Sequence, residues 1–345
     1  MNYSENAVTA KVHALFAKRL TDEDYANLLS FHSNEEIFNY LRNETSYAEY
    51  LDVLPSVTLS SSRFENALQK CLLDRKASLC RFQKLIGDKT YSYFIKKDEI
   101  EAILYCARHL DTEIITDLFD RPAFFIREQS VSGTELQRAT SFDEFADLLS
   151  QTPYAKKVEP LFSSDSNYKS LAALERILFN DLYSNLKATI CKKYKGKSSK
   201  EIIRYIEFIS DMSIISSFYR LTENYPDFKN YQAGILMPSV TAFTPKEIRQ
   251  FEAAQTAKDV LNIVKASVYG KYFTEKITNI DLFVRKLTVE KSVKNIRYSQ
   301  NPILSLFSYE TVLQNEINNI IHIIEGVKYG LNTSEISDIL VKGGC

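Results

Sequence analysis

Long runs without proline constrain this chain more than any other feature. Its eight prolines are Pro55, Pro122, Pro153, Pro160, Pro226, Pro238, Pro245 and Pro302, which leaves 56–121 and 161–225 free of them. Proline lacks a backbone N–H and its ring clashes with the preceding turn, so helices start or stop near it. Proline-free runs of this length therefore predict long helices, and only nine glycines interrupt the chain elsewhere. Inside the runs the apolar residues return at a period of about 3.6. From Glu201 to Leu221, Ile202, Ile203, Ile206, Ile209, Met212, Ile215 and Phe218 recur every three or four positions, a spacing predicted to place them on one helix face. Clean alternation of the kind a strand needs is scarce. The expected fold class is all-α.

The chain also resembles itself. Three segments end on a tyrosine: Ser33-Asn-Glu-Glu-Ile-Phe38-Asn-Tyr-Leu41 leads to Thr45-Ser-Tyr47, Thr140-Ser-Phe-Asp-Glu-Phe145-Ala-Asp-Leu148 leads to Thr152-Pro-Tyr154, and Thr256-Ala-Lys-Asp259-Val260-Leu-Asn-Ile263 leads to Ser267-Val-Tyr269. Counted back from each tyrosine, a hydroxyl stands at −2 and large apolar residues at −6 and −9, with the tyrosines 107 and 115 residues apart. Ser33 with Glu36, Thr140 with Asp143 and Thr256 with Asp259 are the expected helix starts, each a hydroxyl three positions before a carboxylate. The apolar pair is expected to face a core. The hydroxyl at −2 falls near the end of that short helix, where side chains commonly bond backbone. Each tyrosine is expected to bury its ring and keep its hydroxyl on a polar partner, as a packing residue of a repeated unit rather than a participant in chemistry.

A looser echo closes each unit with a long helix: Asp98-Glu-Ile-Glu-Ala-Ile-Leu104, Asp211-Met-Ser-Ile-Ile-Ser-Ser217 and Asn315-Glu-Ile-Asn-Asn-Ile-Ile321. The repeat divides the chain into three helical units, 1–120, 121–236 and 237–345.

With these residues in view, the chain resembles the C subunits of V-type (A/V-type) ATPases, whose eukaryotic equivalents are the d subunits. Ser46-Tyr47-Ala-Glu-Tyr50-Leu51 is similar to that family's first short helix, and Thr152-Pro153-Tyr154 to its second copy. Asn301-Pro302-Ile303, Glu316-Ile317-Asn318-Asn319-Ile320, Glu325-Gly326 and Gly330-Leu331 resemble its closing segment, and Lys11-Val12-His13-Ala14 its opening helix. Ile321 departs from the pattern, since many members carry arginine there. The resemblance implies a funnel of three similar units about a pseudo-threefold axis, without catalytic activity or cofactor. Its mouth would receive the central stalk, made of the D and F subunits, and its base would sit on the membrane rotor ring. Torque would pass through it during proton or sodium transport, in a cytoplasmic protein peripheral to the membrane.

Charge excludes a global attraction to nucleic acid or anionic membranes: 43 Lys and Arg oppose 44 Asp and Glu. Locally, Lys192, Lys193, Lys195, Lys197 and Lys200 crowd one connection. This basic loop reads first as a solvated link between helices, and as the candidate ring-facing contact if the protein stands on a ring. Gly196-Lys197-Ser198 resembles the tail of a phosphate-binding loop, but that loop requires glycine where Cys191 stands. His13, His32, His109 and His322 are scattered and lack metal-ligand spacing, so no metal is expected. The five cysteines form no C-x-x-C pair, which points to a reducing compartment. The most apolar segment, Ile317 to Ile324, carries Asn318, Asn319 and His322, far from the run of about 20 apolar residues that spans a bilayer. Two other functional classes fit the same pattern. A helical-repeat adaptor is disfavoured because solenoid repeats run about 20–45 residues. An all-α enzyme would need carboxylates converging on a pocket, and none of the familiar catalytic motifs occurs.

Overall fold

A computed structural model describes residues 3–52, 61–85, 87–110, 121–162, 171–224 and 238–343. Every regular element among them is helical, as expected. In chain order these are α1 (Tyr3–Phe16), α2 (Asp22–Ser30), α3 (Asn34–Glu44), α4 (Ala48–Leu51), α5 (Ser61–Leu85), α6 (Ser92–Arg108), α7 (Ala123–Glu128), α8 (Gly133–Leu136), α9 (Phe142–Ser150), α10 (Ala155–Phe162), α11 (Leu171–Lys193), α12 (Gly196–Asn224), α13 (Pro245–Ala253), α14 (Ala257–Ala266), α15 (Ile280–Tyr298), α16 (Pro302–Lys328) and α17 (Thr333–Ile339), with 3-10 turns at Lys89–Tyr91 and Gly270–Tyr272. One succession occurs three times along the chain: two short helices, a tyrosine turn, a short helical piece, then two long helices. It begins at α2, at α8 and at α13.

Hydroxyl caps set the short helices. Ser33 and Thr256 each accept from the backbone three residues on, and Glu36 and Asp259 reach back to close full capping boxes. Such a cap is worth about 1 kcal/mol. The middle copy corrects the expectation of Thr140 with Asp143. Ser141 is the cap of α9, accepting from Glu144 N–H at 3.2 Å, while the Glu144 carboxylate accepts from Thr140 N–H at 2.8 Å. In this copy Leu149 is fully buried and Leu148, the −6 residue, only half-buried. The −9 residues Phe38, Phe145 and Val260 are fully buried in all three copies.

Prolines mark most boundaries as expected. Pro245 and Pro302 open α13 and α16, where the missing N–H costs nothing, and Pro122 precedes α7. Pro160 does not, for it lies within α10. Pro55 and Pro226 lie outside the described residues.

The helices form two compact units, one of Met1–Asp88, Asp120–Pro122 and Arg285–Cys345, the other of Lys89–Phe119 and Ala123–Val284. In the first, α1, α3 and α5 pack on α16, whose Ile303, Leu306, Leu313, Ile317, Ile320 and Ile324 are buried on several faces. A helix apolar around most of its girth belongs at the centre of a bundle. The chain's tail is threaded against the same helix. Asn315 and Asn319 donate to Val341 O at 2.7 and 2.8 Å, and Asn319 Oδ1 accepts from Val341 N–H at 3.1 Å.

In the second unit α12 is the central helix, packed on α11 and α14, and α11 packs on α6. The single-face expectation for Glu201–Leu221 needs correction. Ile203 and Ile209 are half-buried, whereas Tyr205, Phe208 and Ile214, on other faces, are buried. An aromatic cluster closes around it: Phe243 meets Phe251 at 4.9 Å and Tyr269 at 5.3 Å between centroids, and Phe218 meets Phe251 at 5.5 Å.

Candidate functional site

The three tyrosines end on one arrangement, a buried carboxylate that receives both the phenol and a loop backbone. Each begins with the hydroxyl at −2. Thr45, Thr152 and Ser267 donate to a carbonyl of the helix just ended, at 2.5, 2.7 and 2.7 Å, and accept from the N–H of Tyr47, Tyr154 and Tyr269 at 3.3, 3.2 and 3.1 Å. That double bond ends the short helix and fixes the direction of the tyrosine. The rings are buried, and the phenols donate to Glu316 Oε1 at 2.7 Å, Glu99 Oε2 at 2.8 Å and Asp211 Oδ2 at 2.6 Å.

Each acceptor stands on the second long helix of a succession, α16, α6 or α12, and holds a loop as well. Glu316 Oε2 accepts from Leu20 N–H at 2.8 Å, Glu99 Oε1 from Val131 N–H at 2.8 Å and from Ser130 N–H, and Asp211 from Ala242 N–H at 2.8 Å and Thr241 Oγ1 at 2.5 Å. Those loops enter α2, α8 and α13. One carboxylate thus pins both the start and the end of a pair of short helices to a long one. Tyr154 and Tyr269 meet the long helix that precedes them, whereas Tyr47 meets the last long helix of the chain, so the first unit is closed by both chain ends.

Burial raises the pKa of all three carboxyls, opposed by the bonds they accept. The tyrosine hydroxyls are pushed up by burial and then by the adjacent carboxylate, so they remain proton donors. Arg75 supplies a cation in the first clamp: its guanidinium lies 5.1 Å from the Tyr47 ring and donates to Ser46 Oγ at 2.9 Å. Two or three fixed donors on each acceptor make a rigid joint.

Asp211 yields a pH prediction. Its carboxyl is raised from an ordinary 3.8 to about 6, chiefly by burial. The folded chain therefore binds this proton more tightly than the unfolded chain. The contribution to stability is greatest below about pH 4, falls as pH rises through about 6, and is flat above, a change of about 3 kcal/mol. Urea midpoints of wild type and Asp211→Asn at pH 5 and pH 7.5 isolate it: the wild type should lose more stability than the variant on going to the higher pH. Equal losses would refute it.

The residue after each tyrosine is small: Ala48, Ala155 and Gly270. A Cβ at Gly270 would collide with the backbone oxygen of Lys265, so the end of α14, where Val264 O accepts from Ser267 Oγ, must shift. Gly270→Ala is expected to cost about 3 kcal/mol by overpacking, read as a fall in Tm. Gly330→Ala is the comparison: its φ of +70° is strained for alanine but the site is open, for about 1 kcal/mol.

The five lysines occupy the connection between α11 and α12. All are exposed; Lys192 and Lys193 end α11, Lys195 donates to Cys191 O at 3.0 Å, and Lys197 lies 3.8 Å from Glu201. Gly196, at φ +62°, lets the chain reverse within two residues, and it follows a helix rather than the strand a phosphate-binding loop requires. Among the described residues no set of three His, Cys, Asp or Glu side chains is placed to hold a metal ion. None of the described helices is long and apolar enough to cross a membrane.

Residues 8–339 match the family described as ATP synthase (C/AC39) subunit. The chain belongs to that family. Two curated relatives are each named as the C subunit of an A-type ATP synthase. The protein of Methanosphaera stadtmanae is 23% identical over 96% of this chain and 86% of its own length. That of Methanosarcina acetivorans is 23% identical over 97% of this chain and 92% of its own. Members of an ATP synthase (C/AC39) subunit family are parts of a larger complex.

Within the family resemblance, Glu316 and Asn319 now have tasks, the first as a clamp and the second as a grip on the tail. Sequence reasoning singles out the runs holding all three carboxylates without pairing them to the tyrosines. The available signal was an acid inside each aliphatic run, blurred because Asp211 aligns with Asp98 and Asn315 rather than with Glu99 and Glu316.

Proposed function

We propose that this chain is the non-catalytic coupling component of a rotary ATP synthase or ATPase. It forms a socket that joins the D–F central stalk to the membrane rotor ring and carries torque between ATP chemistry and proton or sodium movement. The observation that carries this reading is the Tyr–carboxylate clamp, made three times by the same parts. Torque transmission needs walls that resist twisting. A buried acceptor fixed to a loop and a phenol gives each wall such a joint, and the Tyr47–Glu316 copy ties the first third of the chain to the last.

Three equivalent walls would be the units 1–120, 121–236 and 237–345 arranged as a pseudo-threefold funnel. The mouth would bury more than roughly 1,000 Å² against the stalk, as a stable interface requires. Lys192, Lys193, Lys195, Lys197 and Lys200 would face the ring at the base.

Capture by a purified D–F stalk complex is the test. Retention of the chain at a one-to-one ratio is expected; failure to be retained would sink the assignment. Lysine-to-glutamate changes at the basic connection should weaken ring capture in a salt-dependent way and leave stalk capture intact.

A further inference from the structure

A small cavity beside the first clamp is lined by polar groups that the fold leaves half-used. It measures about 60 Å³ and lies within one compact unit, between the loop that enters α2, helices α15 and α16, and the chain's tail at Lys342-Gly343. Tyr25 and Asn315 both line it, with 5% and 6% of their surface exposed. Asn315 Nδ2 donates to Val341 O at 2.7 Å, which fixes the orientation of the amide, and its Oδ1 receives no hydrogen. The Tyr25 hydroxyl accepts from Asn319 Nδ2 at 3.1 Å and donates to none of the described residues. Burial holds that phenol well above its ordinary pKa, so the proton stays on it. The lining therefore offers an acceptor without a donor and a donor without an acceptor, at a depth where each costs free energy unless it is paired.

The rest of the lining selects against charge. A cation would meet Arg19 and Lys342, and an anion would meet Asp22 and the buried Glu316. Val289, Val293 and Val312 supply apolar walls, which suit hydrocarbon. At about 15 Å³ per water-sized group, the space takes roughly four heavy atoms. A neutral group of that size that donates, accepts and carries a methylene is a primary carboxamide, the end of an asparagine or glutamine side chain. A free molecule so small gains little affinity from its few contacts, whereas a side chain shares the affinity of the interface around it. Thr21, Asp22 and Lys342 are exposed and give the cavity a polar rim, the form of a pocket that takes one anchoring side chain.

We propose that this cavity is the socket for one asparagine or glutamine side chain of a partner protein, its amide N–H donating to Asn315 Oδ1 and its carbonyl accepting from the Tyr25 hydroxyl.

Acetamide is the probe, being that side-chain end without a backbone. Saturation-transfer NMR on the purified full chain should show it binding in the millimolar range. Acetone, which cannot donate, and acetate, which is charged, should bind about tenfold more weakly. Tyr25→Phe keeps the ring and should weaken acetamide about fivefold. Val312→Leu adds a methylene to the wall and should abolish acetamide binding while helicity by circular dichroism is retained. The same variant should be captured about fivefold more weakly by the complex component that supplies the side chain, the purified stalk or the rotor ring. Acetamide bound no better than acetone, or bound equally by Val312→Leu, would overturn the socket. Unchanged capture of Val312→Leu by both stalk and ring would overturn the side-chain assignment and give the cavity to a free amide. The capture measurement rests on the coupling reading, and the acetamide measurement does not. A wild-type chain captured by neither component would therefore sink that reading while acetamide still decided the socket.

Discussion

Glu316→Ala is expected to destabilise the chain by about 3–5 kcal/mol, among the largest effects a single side chain can have. The carboxylate is buried, and two donors depend on it, the Tyr47 hydroxyl at 2.7 Å and the Leu20 N–H at 2.8 Å, while its charge also favours the nearby Arg75 guanidinium. Truncation leaves the two donors without an acceptor, at about 1–3 kcal/mol each. It also removes a favourable electrostatic neighbour of Arg75, which keeps its bonds to Ser46. Part of that loss is offset, because burial already disfavours the charged form of Glu316.

Glu316→Gln separates the two contributions. The amide keeps one acceptor oxygen and the shape of the side chain, and the Tyr47 hydroxyl can turn to accept from its NH₂, so a loss of only about 1–2 kcal/mol is expected. Urea denaturation followed by circular dichroism should rank wild type first, then the glutamine variant, then the alanine variant. If the alanine and glutamine variants proved equally stable, the clamp would not be what holds the first unit together.

The second large effect is a reversal of sign within one ion pair. Lys76 on α5 and Glu310 on α16 meet at 3.0 Å with side chains 5% and 7% exposed. Lys76→Met strands a carboxylate in the core and should cost about 3–5 kcal/mol. Replacing both residues with methionine removes the desolvation cost along with the attraction, so the double variant should be as stable as wild type or more stable by about 1–4 kcal/mol. A double variant no better than the single one would show that the pair contributes net stability. Both positions lie in the same compact unit as Tyr47 and Glu316, so their coupling to that clamp can be measured by a double-mutant cycle with Glu316→Gln.

The two predictions rest on differently legible parts of the molecule. The clamp's phenols stand out in the sequence because a tyrosine after a hydroxyl recurs at similar spacing. The ion pair does not. Lys76 and Glu310 are 234 residues apart and look like ordinary charges on two helices, which solvent would normally take.

Local interactions explain what could be read from the chain alone. The all-α class, the short helices with their hydroxyl starts and the hydroxyl at −2 depend on groups within four residues of one another, so composition and spacing determine them. Where two local options compete, the reading slips by one residue. Thr140 and Ser141 both offer a hydroxyl ahead of an acid, and only the packing of Phe145 and Leu149 into the core selects Ser141. The faces of α12 and α16 were beyond local reading, because a helix surrounded by neighbours buries residues that periodicity assigns to solvent.

Tertiary structure alone decided the partners of the three tyrosines. Tyr154 and Tyr269 find acids 55 and 58 residues earlier, while Tyr47 finds one 269 residues later. No sequence spacing predicts that the same joint closes once through the chain ends. A carboxylate's partner is set by which donors share its desolvated site, and that is known only when the helices have packed.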